Sequence, residues 1–322
     1  MAHCSHPSTQ LETLFPARDY ITGDRFEIVI CPACGNTLTW PQPLDLSPYY
    51  PASYYGSASN SRFPAPVEIL QRTLYRHRAG LVEQHCSEGK RKVLDVGCGR
   101  GLLLDAFRRR GWETEGTEFS DAAASYARAV LGLNVHIGEL SALQLSEKFD
   151  AVTLWHVLEH VRDPSAILSE VNGLLKPGGV VLIGIPNFGG WEARLCRDKW
   201  FHLDVPRHLV HFPRGRLRQL LDENGFEVIV SSGFAFEYDL FSFVQSLLNR
   251  TGLRHNLLYN FLRQGPAKIL GQGTGSGFQV FASLVLGSVF GLAGLPTILL
   301  AGMLRQGGTL TLLARKRTAG FE

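Results

Sequence analysis

Short runs rich in apolar and β-branched residues punctuate the middle of the chain. Val93–Val96, Val135–Ile137, Asp150–Leu154 and Val180–Ile185 are four of them, and the more polar Glu113–Thr117 is spaced as a fifth. Each is short enough to predict a strand. Between them lie stretches whose apolar positions recur at helical spacing, Leu102–Arg110, Asp121–Leu131 and Pro164–Leu175, the last closed by Lys176-Pro-Gly-Gly179. Strands alternating with helices of this length predict a parallel sheet covered on both faces, an α/β Rossmann-like fold. Phe226–Ser231 and Gly308–Ala314 supply a sixth and a seventh strand, the last just before Arg315-Lys-Arg317.

The flanks carry other patterns. Tyr20–Ile30 alternates as a β-ribbon would, residues 41–66 are rich in Pro, Ser and Tyr, and Val67–His85 repeats as a helix with Ile69, Leu70, Leu74, Leu81 and Val82 on one side. The expected division is a small N-terminal module (1–45), a linker and helix or lid (46–90), the α/β core (91–235), a helical insertion (236–306) and a final strand with a basic tail (307–322). The insertion is far longer than an ordinary connection. It opens with the amphipathic Leu240–Leu262 and then runs from Ile269 to Leu304 without a charged residue.

The 322 residues are 45% hydrophobic, enough for a substantial core, and a formal net charge of +3 makes no demand for a nucleic-acid partner. Residues 1–20 lack the basic start and apolar centre of a secretory signal, and six cysteines with a single Cys-x-x-Cys suit a reducing compartment, so a cytoplasmic protein is expected. Cys31-Pro-Ala-Cys34-Gly35 forms a tight turn with two thiols. With Cys4 and His6 (or His3) as a second pair it could hold a structural zinc; the other reading is a plain hairpin with free thiols.

The chemistry concentrates where Val93–Val96 ends. Glycines at 97, 99 and 101 follow the strand and precede a helix, which lets backbone N–H groups approach a ligand closely, and Asp95 sits inside the strand's end. Glu118 ends the next strand, 23 residues beyond Asp95, where nucleotide folds place a carboxylate on ribose hydroxyls. A nicotinamide fingerprint would need Gly or Ala where Leu102 stands.

The turn resembles instead that of class I S-adenosylmethionine (SAM)-dependent methyltransferases. So do Phe149-Asp-Ala-Val-Thr-Leu-Trp-His-Val-Leu-Glu-His-Val161, Leu174-Leu-Lys-Pro-Gly-Gly-Val-Val-Leu182, Pro206-Arg-His-Leu-Val-His-Phe212 and Gly225-Phe226. The last two, with the cysteine-bearing N-terminal segment, resemble a bacterial branch of that family. The resemblance implies a seven-stranded sheet and SAM as cofactor. Asp95, Gly97, Cys98, Gly99 and Gly101 would line the aminoacyl end of SAM, Glu118 would hold both ribose hydroxyls, Phe119 would flank the adenine and Glu139 would accept from its amino group.

Methyl transfer requires an aligned nucleophile and, for some acceptors, a base. His156 and His160 flank the carboxyl end of the fourth strand, and His208 and His211 follow in a segment with Trp200, Phe201 and His202. His156, His160 and His208 are the catalytic candidates, each with a purely structural alternative as cap or anchor. The Trp-His-Val-Leu-Glu-His run also resembles a segment of ubiquinone-pathway O-methyltransferases in which two acids and a histidine hold a divalent ion. Here His156 replaces the first acid, and Glu159 with His160 alone is a poor site for a hard cation, so no catalytic metal is expected.

The expected activity is methyl transfer to an O or C atom of a small or lipid-linked acceptor. The alternative is a non-catalytic SAM-binding or scaffold protein that uses the metal module for partner contact. Phe278–Leu295 has 18 residues, the length of a membrane span. The last strand must nevertheless return to the sheet, and Pro296–Leu304 is too short to cross back. A hairpin dipping into or lying on one leaflet through 269–304, at the inner face of the cytoplasmic membrane, satisfies both constraints. A dimer interface or a roof over the acceptor site are the other readings.

Overall fold

The computed structural model describes residues 10–50, 65–143, 148–265, 269–271 and 276–318. An antiparallel ribbon comes first: β1 (Glu12–Arg18), β2 (Arg25–Ile30) and β3 (Thr37–Trp40). Helix α1 (Ala65–Glu83) leads into the α/β core of β4 (Lys92–Val96), α2 (Leu102–Arg108), β5 (Glu113–Glu118), α3 (Asp121–Ala129), β6 (Val135–Ile137), β7 (Phe149–Trp155), α4 (Pro164–Leu174) and β8 (Leu175–Pro186). The short α5 (Trp191–Cys196), β9 (Val210–His211), α6 (Arg214–Glu223) and β10 (Phe226–Ser232) follow. The insertion contains α7 (Phe236–Arg250), α8 (Leu257–Gln264) and α9 (Ser276–Met303), and β11 (Thr309–Lys316) closes the chain.

Seven strands form one sheet in the order β10-β11-β8-β7-β4-β5-β6, with β11 antiparallel to both its neighbours and the β8-β7-β4-β5-β6 ladder parallel. All seven expected strands are present. Both faces of the sheet are covered, so its central strands are apolar on both sides. One face packs Leu103, Leu104, Phe107 and Trp112 against the sheet, and the other packs Leu168, Val171, Leu217 and Leu221. Asp163 caps α4, accepting from the backbone N–H groups of Ser165 and Ala166, and Pro164 occupies the first turn, where its missing N–H is harmless.

The ribbon does not stand apart from this core. β3 pairs with β9, so its sheet is completed by a strand some 170 residues later. Arg207, fully buried, donates to Asp19 of the ribbon (2.7 Å), to Asp204 (2.9 Å) and to the carbonyl of Tyr49 (3.0 Å). A guanidinium enclosed this way must be paired, and these carboxylates pair it.

The charge-free segment differs from the expected hairpin. α9 runs unbroken through Pro296 for 28 residues. Contacts flank the proline on both sides. Before it, Gly294 lies against Phe243 of α7, and after it Ile298 and Ala301 are buried and Gly302 lies against Phe234. Near its start, Val280 packs with Leu257 and Ile269. The helix thus lies along the domain over its whole length. Its outer side leaves Phe278, Leu292 and Met303 exposed to 74%, 79% and 81%.

Candidate active site

The glycine turn is built by backbone conformation. Gly97, Gly99 and Gly101 all have left-handed φ (65°, 55° and 73°), which only glycine adopts without strain. A Cβ on Gly97 would lie 2.6 Å from Val157, and one on Gly101 would lie 2.6 Å from Leu133; at Gly99 it would meet nothing within 4 Å. The outer glycines are therefore packed into the fold, while the middle one faces open space. Cys98 contributes backbone: its N–H donates to the Thr117 carbonyl (2.8 Å), and its side chain packs inward beside Gly116.

Glu118 is pinned over this turn. One carboxylate oxygen accepts from the Gly99 N–H and the other from the Ser120 N–H, both at 2.8 Å, and the residue is 9% exposed. Each oxygen keeps a lone pair for a ligand hydroxyl. Asp95, 2% exposed, accepts from the Thr153 hydroxyl. Burial pushes its carboxyl up to about 7, helped by the nearby Glu118 and opposed by the Thr153 bond. Phe119 is 72% exposed just beyond Glu118, and Glu139 is exposed in the loop after β6. These two are on the same side of the sheet as the turn because β4, β5 and β6 are adjacent and parallel.

Beside the turn, at the end of β7, stands His156. Its backbone is left-handed (φ 55°), uncommon outside glycine and a mark of functional sites. Its Nδ1 donates to Glu159 Oε1 at 3.0 Å, while its Nε2 is buried with no partner among the described residues. Burial opposes ionisation of Glu159, but the His156 bond and the charges of His156, His160 and His208 hold its carboxyl at about 2. A histidine fixed by a buried carboxylate, with its far nitrogen free, is the arrangement of an oriented base. Val157, the next residue, is the one that touches Gly97.

The fold brings His160 and His208 together, with ring centroids 4.6 Å apart. His160 Nδ1 donates to the Arg207 carbonyl (3.0 Å) and His208 Nδ1 to the His202 carbonyl (2.8 Å), which leaves both Nε2 atoms as acceptors. Glu159, His160 and His208 each offer a ligand atom within 4.8 Å of the others. Sequence spacing showed two of these three. The set of two imidazoles and a carboxylate suits a borderline transition metal better than a hard ion. Burial pulls His208 down to about 4 and His202 to about 3, so both are neutral at pH 7. His211 lies apart: its Nε2 donates to Thr39 of the ribbon (2.9 Å), and it joins β3 to β9.

A cavity of about 690 Å³ joins these groups, lined by His156, His160, His202 and His208 on one side and by residues of α7, α8 and α9 on the other. A larger, more open depression of about 890 Å³ lies over the ribbon, away from the glycine turn, and shares Tyr20 with the first. Sequence reasoning missed Tyr238 and the role of His202. Tyr238 accepts from Trp155 Nε1 (3.0 Å) and packs 4.6 Å from His156, ring to ring. Nothing along the chain links positions 82 residues apart. His202 lines the cavity, and its buried Nε2 has no partner among the described residues.

In the ribbon, Cys31 is buried and Cys34 half-buried on a turn closed by Gly35, whose N–H donates to the Cys31 carbonyl (2.8 Å). Both are free thiols on one turn, the residue types that half of a structural zinc site uses. Cys4 and His6 lie outside the described residues.

The methyltransferase domain family matches residues 67–231, just over half of the chain. The protein is a class I SAM-dependent methyltransferase. The ubiquinone biosynthesis O-methyltransferase of Stutzerimonas stutzeri (strain A1501) is 35% identical to it over 117 residues, covering 34% of this chain and 50% of that one. The enzyme of the same name from Pseudomonas aeruginosa (strain LESB58) is 33% identical over the same shares. This methyltransferase thus aligns with about half the length of these curated relatives. Among solved structures, a candidate sarcosine dimethylglycine methyltransferase from Galdieria sulphuraria superimposes with a TM-score of 0.50 at 15% identity, covering 84% of this chain and 97% of that one. That similarity concerns the fold alone. SAM fits what the residues offer: an open cradle at Gly99, lone pairs on Glu118, and a sheet edge at which both converge.

Proposed function

We propose that this methyltransferase acts on an oxygen or carbon of a small or lipid-linked acceptor, with His156 as the base. The reading rests on one observation: His156, which lines the cavity in a left-handed conformation beside the glycine turn, gives Nδ1 to Glu159 and keeps a buried Nε2 without a partner among the described residues. Oxygen is the favoured atom, since the relatives named above are O-methyltransferases.

SAM supplies an electrophilic methyl group and leaves as the thioether. The chain's own residues do the rest. Asp95, Glu118 and the Gly97–Gly101 backbone would hold the cofactor, and Phe119 and Glu139 are the residues that would flank its adenine and accept from its amino group. His156 takes the acceptor's proton at Nε2, and Glu159 holds the productive tautomer and stabilises the imidazolium. His160 and His208 position the acceptor through their free nitrogens. The apolar outer side of α9 rests on a lipid surface, which would bring the cavity to lipid-linked acceptors. The Cys31–Cys34 turn, with Cys4 and His6, would hold a structural zinc.

The test is transfer of labelled methyl from SAM into a membrane lipid extract, with mass analysis of the product. His156→Ala should lower the incorporation at least about 100-fold while leaving SAM affinity unchanged. Undiminished labelling by that variant would remove His156 from the reaction.

A further inference from the structure

The cavity has two unlike ends, and the second one is unexplained by methyl transfer alone. At the first, the histidine Nε2 atoms of His156 and His202 are buried without partners among the described residues, and His202 is 8% exposed. At the other, the wall is mainly apolar, with Phe241 and Val244 of α7, Leu262 of α8, and Gly287 and Gly291 of α9, beside the polar Tyr259 and Asn256. The two glycines are four residues apart and share one face of the helix.

Glycine is disfavoured in a helix interior, so each needs a reason. At Gly294 and Gly302 the reason is packing: a Cβ on Gly294 would lie 2.1 Å from Phe243, and one on Gly302 would lie 2.9 Å from Phe234, while Gly277 in the first turn meets nothing within 4 Å. At Gly287 the nearest atoms to an added Cβ are 3.4–3.6 Å away, and at Gly291 the nearest is at 3.7 Å; these are ordinary contacts that alanine would make without strain. Neither has a φ that requires glycine. What the missing side chains leave is room in the cavity.

The geometry points to an apolar chain on the acceptor, lodged between α7 and α9 over Gly287 and Gly291, with the reactive head at the histidines. The two glycines set the width that the chain can have. The histidines in one part of the lining and the mainly apolar side chains of the insertion, interrupted by Tyr259 and Asn256, match a single amphipathic molecule, aligned with its chain towards the helix whose far side is exposed and apolar. This inference rests on the reading of the cavity as the acceptor site.

The test uses the full-length protein saturated with S-adenosylhomocysteine and titrated with 4-ethyl-, 4-butyl- and 4-hexylphenol by calorimetry. Affinity should rise about two- to fourfold per added methylene. Gly291→Leu should weaken hexylphenol at least about tenfold relative to ethylphenol, with S-adenosylhomocysteine affinity reporting that it is folded. The double variant Gly287→Ala/Gly291→Ala, which makes only ordinary contacts, should reduce the hexyl-to-ethyl ratio about threefold. A series without chain-length dependence in the native protein overturns the inference, as does a hexyl-to-ethyl ratio unchanged in both variants. The labelled-methyl assay separates the two readings. A flat series with transfer that depends on His156 removes the chain site alone, whereas a steep series abolished by Gly291→Leu upholds it even where His156→Ala still transfers.

Discussion

Replacing Glu118 by glutamine tests whether the cofactor reading is correct, because the structure gives this side chain two separable jobs. Its carboxylate now accepts from the Gly99 and Ser120 N–H groups, each at 2.8 Å. Glutamine offers one oxygen and an NH2 group, so one of those two N–H groups would face another donor. Leaving such a group unsatisfied costs about 1–3 kcal/mol, a melting-temperature loss of a few degrees before any ligand is added. The second job is the ribose. Two hydroxyls donating to a carboxylate contribute about 1.5–3 kcal/mol each, and glutamine keeps at most one acceptor for them. The expected loss of about 2–4 kcal/mol corresponds to about 30- to 700-fold weaker binding. Isothermal titration with S-adenosylhomocysteine measures it directly. A 2′,3′-dideoxy analogue completes the cycle: it should bind weakly to the native protein and lose little further affinity in the variant. The reasoning fails if Glu118→Gln binds S-adenosylhomocysteine within threefold of native, or if both ligands weaken equally.

Two further outcomes follow from groups outside the reaction. Burial raises Glu192 to about 7 and Asp239 to about 8. Their folded-state values exceed their unfolded ones, so the stability they contribute is full below about pH 4 and is lost as pH rises through 7–8. The buried His202, His208 and His211 are shifted down, so the unfolded chain takes their protons first and they destabilise the fold below about pH 6.5. Thermal unfolding should therefore show a decline from pH 6.5 to 8.5, smaller by about 0.8 kcal/mol in Glu192→Gln; superimposable profiles would contradict the assignment. For the outer side of α9, flotation with phosphatidylethanolamine–phosphatidylglycerol vesicles should carry the native protein upward and leave Phe278→Glu/Leu292→Glu behind. A native protein that stays at the bottom of the gradient rules out the lipid contact.

The strand, glycine turn and helix around residues 92–110 could be read directly from the chain, because their causes are local. Apolar residues at strand spacing end at glycines, and φ above zero at 97, 99 and 101 is a property of single residues. The parallel sheet and the position of Glu118 at a strand end followed for the same reason, since short strands alternating with helices leave few alternatives, whereas the order of the strands in the sheet came from the structure. The pairing of His156 with Glu159 also lay within reach, three residues apart at a strand end.

What required the tertiary structure were the meetings between distant segments. His208 joins Glu159 and His160 from 48 residues further along, β9 completes a ribbon begun near residue 12, and Tyr238 reaches His156 from the insertion. The linear pattern of 269–304 suggested a break at Pro296, since proline removes a helical donor. Packing against α7 and Phe234 on both sides of it decided otherwise. Local propensity sets which elements form, whereas the docking of their faces sets which side chains share a cavity. For this methyltransferase the cofactor end belongs to the first kind of information and the acceptor end to the second.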